Sequence, residues 1–342
     1  MFKKQNIAII GTGWYGCHIA SFLLQKDINI KIFDKSDSFF SAASGNNQNR
    51  LHQGFHYPRC SKTRFYSKKG FDLFKEQYSN LSERLDKNYY GIHYSNSLID
   101  FQTYIAIMNS EKVPFEIIEN DNFFNLQNIE GLLNCEEEYI NPKKSKDYFS
   151  SYLSEYFEGN YEVNDSNLSN LKNKFDYVID CSWGGIKNYL PETIFYEACL
   201  VLIYKSTLKE KVGLTIMDGE LFSIFPYVDN LYTISSVKET PISIHHSQLD
   251  AYKSCDNLIK DNSHLQDKIN KFETEVLSVY PSFKEHFKFS YPQISVKTKF
   301  KSKLDSRLVE SFRENNLISI YSGKIDTIFF AEDIINKEVF DE

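Results

Sequence analysis

The chain has no CxxC pair and no His/Cys cluster at zinc-finger spacing, which removes the usual sequence signs of a structural zinc or a dithiol redox centre. Its six cysteines, Cys17, Cys60, Cys135, Cys181, Cys199 and Cys255, are dispersed. They are expected to be reduced thiols in a cytoplasmic protein. The adjacent His245 and His246 lack a nearby Cys or third His, so no metal site is expected. No stretch approaches the ~20 apolar residues of a membrane-spanning helix. Behind the basic start, the apolar run is only Ile7 to Ile10 and then meets glycines, so no transmembrane segment or secretory leader is expected. A basic excess is also missing: the net charge is −7 over 342 residues. That argues against nucleic acid as a partner. There is no internal repeat and no long low-complexity linker.

The composition is that of a globular protein, 42% hydrophobic and 25% charged. At 342 residues the chain is too long for one core, so two packed domains are expected. Ile7 to Ile10 reads as a buried parallel strand. Gly11-Thr12-Gly13-Trp14-Tyr15-Gly16 follows, then apolar residues at helical spacing, then a second strand, Ile28 to Phe33, ending at Asp34. This is the context a GxGxxG motif requires. Gly11 permits the tight turn, Gly13 lets a pyrophosphate approach the backbone, and Gly16 lets the helix pack on the strand. Phosphates then meet the helix N-terminus, and Asp34 is placed for ribose hydroxyls, which disfavours NADP. On these residues alone the ligand is an adenine dinucleotide, NAD or FAD, and a glycine-rich turn without a ligand is the plainer alternative.

Further along, a helix is expected from about Thr63 to Arg84 and a strand from Tyr89 to Ser95. A helix from Leu98 to Ser110, a strand Phe115 to Ile118, a helix from Pro142 to about Phe157 and a strand Tyr161 to Val163 follow. Phe175 to Cys181 reads as another buried strand. Cys199 to Tyr204, Leu214 to Met217, Leu221 to Pro226 and Leu231 to Ser235 read as an antiparallel sheet. A helix over Asn262 to Val279 and a strand Leu317 to Tyr321 come next, with a last helix over Thr327 to Ile335. The fold class is therefore α/β (α+β taken whole). A Rossmann-like cofactor domain, residues 1–85, 135–195 and 305–342, is interleaved with a smaller, largely antiparallel substrate domain, residues 86–134 and 196–304.

The run Ser44-Gly45-Asn46-Asn47-Gln48-Asn49-Arg50-Leu51-His52-Gln53-Gly54-Phe55-His56-Tyr57 resembles FAD-dependent oxidoreductases of the D-amino-acid oxidase superfamily, which includes glycine oxidases and L-2-hydroxyglutarate dehydrogenases. Ser44, Gly45, Asn47, His52, Gly54 and Tyr57 match the last group's pattern, and Gln48 and Asn49 stand where it has Ser-Gly. Asn141-Pro142, Asp176 to Gly185, Tyr280-Pro281 and Ser322 to Thr327 resemble later stretches of the same family, in order. Trp183 departs from the family's small residues.

The resemblance implies FAD, a flavoprotein oxidoreductase, and a set of cofactor contacts. Near the N-terminus these are Gly11, Gly13, Trp14, Tyr15, Gly16, Asp34 and Lys35. After the second strand they are Ser44, Gly45, Asn47, Gln48, Arg50 and Leu51. Val163, Cys181, Ser182 and Gly184 follow, and the last turn adds Gly323, Lys324, Ile325, Asp326 and Thr327. A helix starting near Thr327 would favour the anion of reduced flavin.

His52 is the candidate catalytic base, or a ring that only hydrogen-bonds the flavin or a loop. Arg50 is a candidate for carboxylate or phosphate binding, or half of a structural ion pair. His56, Tyr57, Arg307 and Lys324 are candidate substrate contacts. The expected function is oxidation of a C–N or C–O bond of a small anionic substrate by hydride transfer to flavin, with oxygen or another acceptor taking the electrons. An NAD-dependent dehydrogenase would leave residues 44–57 and 317–335 without a role. A non-catalytic FAD-binding protein is the third reading.

Overall fold

In this computed structural model, residues 4–119, 121, 123–186, 194–301 and 308–340 are described. The chain forms two compact units. One comprises residues 1–45, 142–195 and 298–342, and the other residues 46–141 and 196–297.

The first unit is built on a six-stranded sheet. Its order is Glu310–Glu314, Leu317–Tyr321, Tyr177–Asp180, Asn6–Ile10, Asn29–Phe33, Phe157–Glu158. All neighbours are parallel except Glu310–Glu314 against Leu317–Tyr321. The inner strands are buried nearly end to end, as a parallel sheet covered on both faces requires. Ala8, Ile10, Phe33, Val163, Leu168 and Val178 share one core cluster. The expected helix after the glycine turn is Trp14–Gln25. The strand expected at residues 161–163 lies instead at Phe157–Glu158. The helix before it stops at Leu153 and tightens into a 3-10 turn. The last helix is Phe330–Phe340, three residues later than expected. Residues 325–329 lead in through N–H to carbonyl bonds three residues back.

The second unit carries a sheet ordered Pro241–His245, Ile194–Ser206, Leu231–Ser236, Phe222–Pro226, Val212–Met217, Lys87–His93, Ile129–Cys135, Phe115–Ile118. It is antiparallel apart from Val212–Met217 beside Lys87–His93. Alternation sets its two faces. Leu214, Phe222, Ile224 and Ile234 pack in one cluster with Phe272, Val276 and Tyr280, from and beside the helix Asn262–Leu277. Thr215, Ser223, Phe225, Thr233 and Ser235 occupy the alternate positions.

A small antiparallel sheet joins Arg50–Leu51, Glu138–Ile140 and Ser82–Arg84. It explains why the helix expected to reach Arg84 ends at Tyr78: Ser79 and Asn80 turn the chain, and residues 82–84 pair as a strand. It also draws residues 46–85 and 135–141, expected with the cofactor domain, into the second unit. That unit is consequently the larger one, not the smaller. Strands Ile129–Cys135 and Phe287–Phe300 and the helix Gln248–Lys260 were not expected from the sequence.

Candidate functional site

In the first unit the glycine turn is packed to backbone contact. A Cβ on Gly16 would lie 1.9 Å from the Gly11 carbonyl oxygen, and one on Gly11 2.8 Å from that of Cys181. A Cβ on Gly13 would lie 2.6 Å from Ser44 Oγ, which accepts the Trp14 N–H at 3.1 Å. Gly13 caps the helix without a side-chain hydrogen bond, and no acid stands in the first turn. With no acid in that turn, the positive pole of the helix favours an anion. Asp34 Oδ2 accepts both the Thr12 N–H and its hydroxyl at 2.7 Å, and Oδ1 accepts the Ser36 N–H. The carboxylate therefore fixes the turn itself. Lys35 is exposed, and Val163 sits in the core.

The late turn is tied to the first helix. The Tyr15 hydroxyl donates to the Lys324 carbonyl at 3.1 Å and lies 2.8 Å from Thr327 Oγ1. Burial pushes the Tyr15 phenol well above its usual value. Lys324 Nζ is 3.1 Å from the Asp326 carboxylate, with both side chains buried; the ammonium expected on a substrate is paired inside the turn. Gly323 is exposed and Ile325 half-buried. Ser182 and Gly184 line the turn after Tyr177–Asp180, where the Ser182 N–H donates to Asp180 Oδ1 at 2.8 Å. Arg307 lies outside the described residues.

In the second unit, Tyr90, Thr215, Ser223 and Ser235 form one cross-strand row of hydroxyls. Gln48 and Arg50 bond to it. Gln48 donates to Thr233 Oγ1 and accepts from Ser223 Oγ. Gln293 donates to Asn46 Oδ1 and to the Tyr227 hydroxyl. Arg50 is 7% exposed. Its Nη1 donates to Thr215 Oγ1 at 2.6 Å, and its Cζ stands 4.0 Å over the Phe225 ring. Its Nε and Nη2 are buried with no hydrogen-bond partner among the described residues. Leu51 is fully buried.

His52 Nδ1 lies 3.3 Å from Glu137 Oε2. That oxygen also accepts the Tyr90 hydroxyl at 2.5 Å, and Oε1 accepts the Gln53 N–H at 2.7 Å. Burial alone would raise the Glu137 carboxyl. The His52 ring, the Tyr90 O–H and the Gln53 N–H outweigh it and hold the group below its ordinary value. The His56 and Tyr57 rings stand 5.4 and 5.6 Å from that of His52. The nearby basic residues are structural: Arg59 pairs with Asp218 and Arg64 with Glu111. Glu137, Tyr90, Thr215 and Phe225 were not singled out from the sequence. Glu137 sits in the run Glu136-Glu137-Glu138, which reads as a solvated patch.

Over 99% of its length the chain is 36% identical to the FAD-dependent monooxygenase FPY4 of Fusarium mangiferae, covering 92% of that protein. The glycine oxidase of Geobacillus kaustophilus superposes with a TM-score of 0.68 at 12% identity, covering 99% of this chain and 96% of that one. The chain belongs to the family of FAD-dependent oxidoreductases that includes this Fusarium relative, and its fold is that of the glycine oxidase. The amino acid oxidase NikD has the same fold, with a TM-score of 0.71 at 10% identity and cover of 99% and 95%. The FAD-dependent monooxygenase kojA of Aspergillus flavus is 23% identical over 96% of this chain and 84% of its own. No protein-family model matches. The cofactor is FAD, and the close-packed glycine turn, leading into a helix with no acid in its first turn, fits the pyrophosphate. Among the described residues, no helix is long and apolar enough to cross a membrane.

Gln48 and Asn49, which depart from the motif pattern, have local accounts, whereas nothing in the structure explains a Trp at 183. Asn49 stands at a pattern glycine with φ +50°, a conformation Asn tolerates better than other non-glycine residues. Gln48 replaces a serine and reaches two strands. Trp183 is also left-handed, at φ +54°, and Thr298 Oγ1 donates to its carbonyl.

Proposed function

We propose that this flavoprotein oxidises a C–N or C–O bond of a small anionic substrate by hydride transfer. Arg50 would be the anion-binding group and His52 the base. The observation that carries this is the half-used guanidinium of Arg50. A cation buried with two N–H-bearing nitrogens unpartnered is costly unless a ligand completes it. The Nε–Nη2 edge presents two parallel donors, the geometry that suits a carboxylate. Phe225 and Thr215 fix its plane. Bound FAD supplies the hydride acceptor. The chain's residues then have two tasks: to hold the substrate anion, and to take the proton released as the amine or alcohol is oxidised. His52 is suited to the second.

The test is anaerobic flavin bleaching with glycine, sarcosine, D-alanine and L-2-hydroxyglutarate, each beside its ester or amide. Bleaching by acids but not by their neutral derivatives is expected. Arg50→Met should then weaken substrate binding, and His52→Gln should slow bleaching by about 10²-fold or more. Bleaching equally fast in both variants removes these roles.

A second reading is oxygen transfer, since the relatives in Fusarium mangiferae and Aspergillus flavus are named monooxygenases. Labelled oxygen found in the product, rather than in hydrogen peroxide, would favour it.

A further inference from the structure

Glu137 is a buried acid with three hydrogen-bond neighbours, Gln53, Tyr90 and His52, and they differ in kind. The Gln53 N–H can only donate. The Tyr90 hydroxyl donates to Oε2, and burial together with the Glu137 charge pushes its own ionisation well up, so it stays a donor. His52 Nδ1 is the third neighbour, at 3.3 Å. As a carboxylate, accepting the Gln53 N–H and the Tyr90 O–H, Glu137 offers only lone pairs. An imidazole nitrogen facing it must carry the hydrogen.

We propose that Glu137 is a positioning residue that holds neutral His52 in the Nδ1–H tautomer, so that the basic lone pair is on Nε2. The arrangement lies wholly within the second unit. The strand Ile129–Cys135 leads into Glu137, the strand Lys87–His93 brings Tyr90, and the strand Arg50–Leu51 leads into His52. When His52 takes a proton at Nε2, the ring becomes cationic. The buried carboxylate then stabilises that charge without itself accepting the proton. The catalytic meaning rests on His52 being the base proposed above, whereas the tautomer does not.

The decisive variant is Glu137→Gln, which keeps the shape. Its carbonyl oxygen must face the Gln53 N–H, because that partner only donates. Its NH2 group then faces Tyr90 Oη, which can accept, and His52 Nδ1, which must accept as well. The ring is driven to the Nε2–H tautomer and loses its acceptor. Glu137→Asp keeps the charge and is the conservative rescue.

The experiment is nitrogen NMR of the full-length, FAD-loaded chain carrying isotope-labelled histidine, at a pH where the ring is neutral. The His52 signal is assigned by its loss in His52→Gln. The expected result is an Nδ1–H ring in the wild type and in Glu137→Asp, and a tautomer ratio shifted toward Nε2–H by roughly tenfold or more in Glu137→Gln. A wild-type His52 in the Nε2–H form overturns the proposal, even if Glu137→Gln does not fold. So does a tautomer ratio that Glu137→Gln leaves unchanged. Failure of every amine and hydroxy acid to bleach the flavin would sink the functional reading while leaving the tautomer result standing.

Discussion

Gly16 is packed so closely on Gly11 that a methyl group at residue 16 would stand 1.9 Å from the Gly11 carbonyl oxygen. The obstacle is backbone, not a side chain that can rotate away. The turn is also clamped from its other side by Asp34 through Thr12. Gly16→Ala is therefore expected to push the first helix off the sheet, costing about 1–3 kcal/mol and emptying the cofactor site. The ratio of flavin to protein absorbance after purification, with the melting temperature, measures both. A variant with full flavin content and an unchanged melt would show that the helix can shift at no cost.

Asn49 is held left-handed at φ +50° while its carbonyl accepts the Ile140 N–H at 2.7 Å. Asn49→Gly loses one side-chain bond to the Asn47 carbonyl but relieves the backbone and removes a buried Oδ1 that has no partner among the described residues. The two effects oppose, so stability should change by less than ~1 kcal/mol. Asn49→Val cannot adopt this φ without strain and should cost about 1–3 kcal/mol. Chemical denaturation of both variants gives the comparison, and equal stability of the two would refute the backbone argument.

The first unit was largely legible in the sequence because its signals are local. The apolar runs at Ile7 and Val178 and the glycines at 11, 13 and 16 each report their own structure, and parallel order follows from the helix between strands. The second unit was less so. Strand Glu138–Ile140 is three residues long and exists through its pairing with Arg50–Leu51 and Ser82–Arg84, partners far away in sequence. The hydroxyl row was hidden for the same reason: Thr215, Ser223 and Ser235 look like ordinary polar alternates until register sets them side by side. His52 and Arg50 were visible from their motif. Glu137 was not, since nothing local distinguishes it from Glu136, which is exposed.

Gln48 shows what that register demands. Thr233 Oγ1 donates to the Phe225 carbonyl at 3.2 Å, so it must accept from Gln48 Nε2. Ser223 Oγ donates to Gln48 Oε1. Gln48→Glu would set two acceptors against each other at Thr233 and bring a charge into a half-buried place. A loss of about 1–3 kcal/mol at neutral pH is expected, shrinking in acid once the new carboxyl is protonated and can donate. Melting curves of variant and wild type across that range check it. A deficit that is independent of pH would mean that the Gln48–Thr233 bond does not have the assigned direction.

Asp180 gives the converse case. It is 2% exposed at the end of its strand, and burial raises its carboxyl above the ordinary value despite hydrogen bonds from Ser182 and Ser319. A folded value above the unfolded one means that its contribution to stability is fully present below the unfolded carboxylate range. That contribution is lost as pH rises through the folded value. At neutral pH the buried carboxyl thus works against folding. In Asp180→Asn the amide oxygen can still accept the Ser182 N–H, bonded at 2.8 Å, and the NH2 can donate to Ser319 Oγ, which now lies 3.3 Å from Oδ2. The variant should melt a few degrees higher than the wild type at neutral pH, and the gap should close as the pH falls below the ordinary carboxylate range. A variant that melts lower at neutral pH would show instead that the charge itself is needed there.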